Sequence, residues 1–125
     1  MARTLTIGIK SWRESAAEFR DVFKAVQAGR RVKQSDGVYF TSLEAARNLL
    51  TPGRLALLRA IRRERPGSIY QLAKLTGRDL KNVQQDLRLL ETYGLVRVTR
   101  GRGVGRRTVK VPETLFDEIT LKIAI

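Results

Sequence analysis

Residues 78–90 carry two stripes of side chains at helical spacing. The polar stripe consists of Arg78, Lys81, Asn82 and Gln85, and the apolar stripe of Leu80, Val83, Leu87 and Leu90. Positions three and four apart share a helix face, so one stripe can pack on a core while the other faces outward. Arginine and lysine can pair with guanine, and asparagine and glutamine with adenine, through two hydrogen bonds. The polar stripe is therefore suited to reading base edges in a DNA major groove, with a solvated helix face as the alternative.

Other polar residues around this segment are candidates for contacts with the phosphate backbone. Gln84 and Arg88 flank the polar stripe, although Arg88 could instead pair with Glu91 three residues further on. Ser68, Tyr70 and Gln71 stand at the start of the preceding predicted helix. They could bind phosphate there, and Ser68 could equally serve only as a helix cap.

The segment 100–107 combines arginine with glycine. It lies between two alternating stretches, 95–99 and 108–111, and this pattern predicts a β-hairpin with a flexible tip. Pro112 is expected to end the second strand of this hairpin. Four arginines are expected at the tip: Arg100, Arg102, Arg106 and Arg107. They could follow the DNA backbone or enter a minor groove. Because arginine–glycine segments also bind RNA, the hairpin alone does not select the nucleic acid.

The charge of the chain agrees with a polyanionic partner. It has 25 basic and 12 acidic residues, a net charge of +13. Residues 51–111 hold 15 of the basic residues and only 4 acidic ones. An excess that served only solubility would be spread evenly. The clustering therefore favours nucleic-acid binding around the polar stripe.

Composition argues against several other classes. Cysteine and histidine are both lacking, which removes disulfides, thiol chemistry, the commonest zinc ligands and imidazole catalysis. The acidic residues near the basic segment show no paired spacing suited to metal-dependent hydrolysis. We therefore expect no enzyme activity and no cofactor. With no apolar run of about 20 residues and no signal-like start, we expect a cytoplasmic protein without a membrane partner.

Periodicity and capping residues predict an α+β fold. Expected strands are 4–9, 38–40 and 118–125, and expected helices are 11–28, 43–50, 52–65, 68–76 and 79–93. Ser42, Thr51, Ser68 and Asp79 are the predicted N-caps, and Gly77 and Gly94 the predicted helix ends. The arginines of helix 52–65, including Arg54, are expected in solvent.

Three segments follow from this pattern. Residues 1–50 form an N-terminal extension, residues 51–112 a DNA-binding domain, and residues 113–125 a C-terminal strand. The apolar faces of the first and last strands would be exposed to solvent unless another element packed on them. They could pair between two chains, which would make a homodimer, or within one chain.

The order of elements in 51–112 resembles the winged helix-turn-helix of bacterial and archaeal transcription regulators. Residues 68–77 (SIYQLAKLTG) are similar to the helix-turn signature of MarR-like regulators, and residues 89–96 (LLETYGLV) to their exit into the wing. The resemblance implies a dimeric repressor that binds double-stranded DNA by sequence. The short N-terminal strand and helix and the terminal strand are similar to small antitoxin-type repressors, which implies a toxin protein as partner. An unusually Arg- and Gly-rich wing leaves nonspecific nucleic-acid binding open.

Overall fold

The computed structural model describes residues 3–9, 37–103, 105 and 107–123. The predicted helix 11–28, Arg106 and the last two positions of the predicted final strand lie outside these residues. The fold is α+β, as predicted. Its elements are β1 (Thr4–Ile9), β2 (Gly37–Phe40), α1 (Leu43–Leu49), α2 (Pro52–Glu64), α3 (Ile69–Thr76), α4 (Leu80–Thr92), β3 (Val96–Arg102), β4 (Thr108–Thr114) and β5 (Glu118–Ile123).

The chain divides into two compact units. One consists of Arg3 and Asn48–Asp117, and the other of the described residues within 4–47 and 118–125. The first unit therefore holds α2, α3, α4 and the β3–β4 hairpin. The second holds the remaining strands and α1 up to Arg47, and so brings together the two ends of the sequence.

The second unit is built on a three-stranded sheet in the order β2-β1-β5. Both outer strands run parallel to β1, and the β1–β5 register runs from Thr4 beside Glu118 to Ile9 beside Ile123. Leu5 and Ile7 of β1 are buried, as their alternation predicts. Of the two pairings left open by the sequence, the terminal strands adopt the one within a single chain.

The helices of the first unit begin at the predicted caps. Thr51 Oγ1 accepts the Arg54 N–H at 3.2 Å, Ser68 Oγ accepts the Gln71 N–H at 3.0 Å, and the Asp79 carboxylate accepts the Asn82 N–H at 3.4 Å. Each bond satisfies an N–H that the first helical turn would leave unpaired. Gly77 ends α3 in the left-handed region at φ 65°.

The core of this unit lies among the three helices and the base of the hairpin. Its buried apolar residues are Leu57, Leu58, Ile61, Ile69, Leu72, Ala73, Val83, Leu87, Leu90, Leu95 and Val96. The prediction that the whole apolar stripe of α4 packs on the core is wrong at Leu80, which is 36% exposed. Leu80 is the first residue of α4, and from there it borders an open groove on the surface. Leu43, the first residue of α1, is likewise exposed, against its predicted place in an apolar stripe.

The hairpin is longer than predicted. Arg100 and Arg102 lie within β3, paired with Lys110 and Thr108 of β4, and not in the loop. The strand also continues through Pro112, which pairs with Val98, so the prediction that Pro112 ends it is wrong. Among the described residues β4 has a strand partner on one side only, so a proline without an N–H fits there without interrupting the ladder.

An ion-paired cluster joins α2, α4 and the turn between α3 and α4. Asp86 of α4 accepts hydrogen bonds from Arg54 Nε at 3.1 Å and from Arg78 Nη2 at 2.6 Å. Arg54 Nη1 also donates to the carbonyl oxygens of Asn48 and Leu49. The Arg54 side chain is only 20% exposed, so the prediction that it stays in solvent is wrong. Its guanidinium instead fixes the start of α2 against the middle of α4.

Removing the shared carboxylate should destabilise this unit. Asp86→Asn leaves two half-buried guanidinium groups without their anion, and we expect unfolding to become easier by about 1–3 kcal/mol. Urea denaturation of the full chain measures this. Glu64→Gln removes the same charge from an exposed position and should change stability by less than about 0.5 kcal/mol. Equal losses in both variants would show that Asp86 has no special structural role.

Candidate nucleic-acid interface

The outward face of α4 carries most of the predicted polar residues. Those that are exposed along it are Lys81, Asn82, Gln84, Gln85 and Arg88. Their side chains stand opposite the buried Val83, Leu87 and Leu90, so the helix has the two-faced character that its sequence predicts. Among the described residues no ion pair joins Arg88 to Glu91, whose carboxylate instead accepts the backbone N–H of Val98 at 3.2 Å.

Arg78 is placed differently from the rest of the predicted polar stripe. It precedes α4, its side chain is 30% exposed, and its guanidinium is paired with Asp86. Its Nη1 atom is buried with no hydrogen-bond partner among the described residues. Arg78 therefore acts on the position of α4 in this arrangement, and contact with a base would require it to leave Asp86.

The start of α3 presents one aromatic side chain. The Ser68 hydroxyl accepts the backbone N–H of Gln71, and the Gln71 side-chain oxygen accepts the N–H of Gly67 at 2.6 Å. Those two oxygens are used in capping, which was one of the alternatives for Ser68. Tyr70 is 58% exposed, and the Lys74 ammonium lies 4.8 Å from the centre of its ring. Lys74 was not among the predicted site residues, although its place four residues after Tyr70 signals this contact.

A groove of about 600 Å³ brings α3, α4 and the hairpin together. It is bordered by Tyr70 and Gln71 of α3, Leu80 and Gln84 of α4, and Arg102, Gly103, Arg107 and Lys110 of the hairpin region. Candidate residues from three separate sequence segments thus border one groove, whereas Lys81, Asn82 and Gln85 of the polar stripe lie outside its lining. Arg106, between two of these positions, is outside the described residues.

A smaller groove of about 250 Å³ lies between α4 and the hairpin. It is lined on one side by Gln84 and Arg88 and on the other by Arg100 and Lys110. Gln84 and Lys110 border both grooves. Sequence reasoning missed Lys110, because it lies in a predicted strand and not in the arginine-rich loop. Its position directly opposite Arg100 follows only from the hairpin register.

The electrostatics of the hairpin favour an anion. Arg100 and Lys110 are cross-strand neighbours, and like charges in that position destabilise an antiparallel ladder. Further along the same ladder, Arg97 Nη2 pairs with the Glu113 carboxylate at 2.8 Å. Near its base the hairpin therefore carries an ion pair, whereas Arg100 and Lys110 form no ion pair with any described residue, although Glu91 lines the same small groove. A phosphate between the two cations would remove the repulsion.

The chain also matches the model of a known protein family. The model of the HVO_A0114 family matches residues 49–121, so the chain belongs to that family. The match spans α2, α3, α4, the hairpin and the start of β5. No curated protein matches the sequence. Within the described residues, no helix combines the length and the apolar character needed to cross a membrane.

Neutralising Lys110 should separate stability from anion binding. In the absence of polyanions, Lys110→Gln should raise the free energy of unfolding by a few tenths to about 1 kcal/mol, because it removes repulsion from Arg100. The same variant should bind heparin, a general polyanion, more weakly. Arg97→Gln is the matched control, since it removes an attractive pair and should bring no gain in stability. Loss of stability in Lys110→Gln would contradict a repulsive pair.

Proposed function

We propose that residues 51–112 form a winged helix-turn-helix that binds double-stranded DNA in a sequence-dependent way and regulates transcription. In this proposal α3, the Gly77 turn and α4 are the helix-turn-helix, and the β3–β4 hairpin is the wing. The strongest support is the convergence of exposed polar and cationic side chains from α3, α4 and the hairpin on one surface.

The base-reading role falls to α4. In helix-turn-helix proteins the second helix lies in the major groove, and residues near its N-terminus contact base edges. Lys81, Asn82 and Gln85 are exposed within the first two turns of α4 and make no side-chain hydrogen bond among the described residues. Lysine suits guanine, whereas the two amides suit adenine. Arg78 is assigned to positioning, since Asp86 holds its guanidinium.

The phosphate contacts fall to the surfaces on either side of α4. Tyr70 on α3, with Lys74 beside its ring, and Arg88 at the smaller groove can contact phosphates of one DNA strand. Arg100, Arg102, Arg107 and Lys110 of the hairpin can reach phosphates further along the duplex. Such contacts fix the orientation of α4 without reading sequence. A cationic hairpin of this kind would also support nonspecific binding, which selection of bound sequences distinguishes from sequence reading.

Substitutions on α4 should alter sequence preference. We expect Asn82→Ala and Gln85→Ala each to relax preference at particular base pairs, at a cost of roughly 1–3 kcal/mol on the preferred site. Selection of bound sequences from a random duplex library measures this. Arg63→Ala is the control, because Arg63 is an exposed cation of α2 and lies outside both the proposed recognition helix and the hairpin. Unchanged preference in both α4 variants, with folding intact, would leave only nonspecific binding.

Substitutions on the hairpin should act on all sequences alike. If Arg102 and Arg107 each contact a phosphate, the double variant Arg102→Ala/Arg107→Ala should reduce the slope of log affinity against log salt by about 1.8. Fluorescence anisotropy titrations at several salt concentrations give this slope. The control double variant Arg59→Ala/Arg63→Ala removes the same charge from α2 and should leave the slope nearly unchanged. An equal effect of both pairs would mean that only total charge matters.

A further inference from the structure

The outer edge of β5 is an exposed strand edge with apolar side chains. In the sheet order β2-β1-β5, this strand has β1 on one side and no strand of the described residues on the other. Leu121 and Ile123 are 45% and 48% exposed, and Glu118, Thr120 and Lys122 are exposed as well. Proteins rarely leave such an edge open, because its unpaired N–H and C=O groups readily bind another strand.

The sequence of β5 is complementary to itself when it is read in opposite directions. If two copies lie antiparallel with Thr120 opposite Thr120, then Glu118 of each copy stands opposite the partner's Lys122. In the same register Ile119 stands opposite the partner's Leu121. Each cross-strand pair is then either oppositely charged, apolar or a pair of threonines, and all three kinds stabilise antiparallel strands.

We infer that two copies of this chain associate through antiparallel pairing of their β5 strands about a two-fold axis at Thr120. The pairing joins the two three-stranded sheets into one continuous sheet, with β5 and the partner's β5 at its centre. It forms two equivalent Glu118–Lys122 ion pairs between the copies. The backbone N–H and C=O groups of both strand edges then form hydrogen bonds with each other. A two-fold contact of this kind is closed, so it gives a dimer and not a fibre.

Other edges and registers fit less well. The opposite edge, β2, spans only Gly37–Phe40 and carries no charged residue that could select a register. An alternative register, in which each side chain stays on the same face of the sheet, places Leu121 opposite the partner's Leu121. Lys122 then stands opposite the partner's Thr120, and the ion pairs with Glu118 are lost. The charges of β5 therefore specify one register.

This inference does not rest on the proposed function, because dimerisation is measured without DNA. A dimer that failed to bind DNA would overturn only the DNA proposal. A monomer that bound DNA would overturn only the β5 pairing.

Charge reversal tests the pairing. Lys122→Glu places acidic residues opposite each other twice, and Glu118→Lys does the same with basic residues. Sedimentation velocity over a range of protein concentrations should show each single variant dimerising roughly tenfold more weakly or worse, and the double variant recovering toward the original affinity. Recovery in the double variant also excludes misfolding as the cause of the single losses. A full-length chain that stays monomeric up to about 100 µM would overturn the inference, and the charges would then protect the edge against association.

The register is tested with introduced cysteines, for which this chain is well suited because it contains none. In the inferred dimer the two copies of position 120 lie opposite each other with Cβ atoms about 4.5–5.5 Å apart, whereas the two copies of position 122 are about 14 Å apart. Thr120→Cys should therefore form a disulfide-linked dimer under mild oxidation, and Lys122→Cys should not. Linkage through Leu121→Cys but not through Thr120→Cys would place the axis elsewhere and contradict the inferred register.

Discussion

The shared carboxylate of Asp86 is the interaction on which the geometry of the candidate interface depends. Through Arg54 it fixes α4 to the start of α2, and through Arg78 it fixes α4 to the turn that follows α3. Asp86 lies only one position beyond Gln85, whose side chain is exposed. The same helical segment therefore carries both an internal anchor and an exposed candidate contact, and any rotation of α4 would move both.

The hairpin shows the opposite relation between charge and stability. Arg97 and Glu113 attract each other at its base, whereas Arg100 and Lys110 repel each other nearer its end. Such a pair weakens the free protein and becomes favourable only when an anion lies beside it. Functional surfaces often carry local conflicts of this kind, because selection for binding opposes selection for stability. The hairpin thus gives a physical reason to expect a polyanion at this place.

Sequence reasoning succeeded where the determinants are local. Thr51, Ser68 and Asp79 cap helices through bonds to residues only three positions away, and such contacts can be inferred from spacing alone. It failed where the partner is distant in sequence. Arg54 has the pattern of a solvated helix face, and only Asp86, 32 residues later, draws it inward. Lys110 was overlooked for a similar reason, since its importance depends on the register with Arg100. The parallel sheet order was equally beyond reach, because alternation specifies a strand but not its neighbours.

The central position of β1 in its sheet has a consequence for the order of folding. One of its two partners, β5, is 114 residues away, so closing this pair carries a large loop-closure entropy. In the sequence, the helices and the hairpin come between these two strands, and their contacts join residues that are much closer together along the chain. They can fold during synthesis before β5 is available to pair with β1. During that interval the buried Leu5 and Ile7 belong to a strand with an unfilled edge, and a chaperone would be expected to engage the nascent chain there.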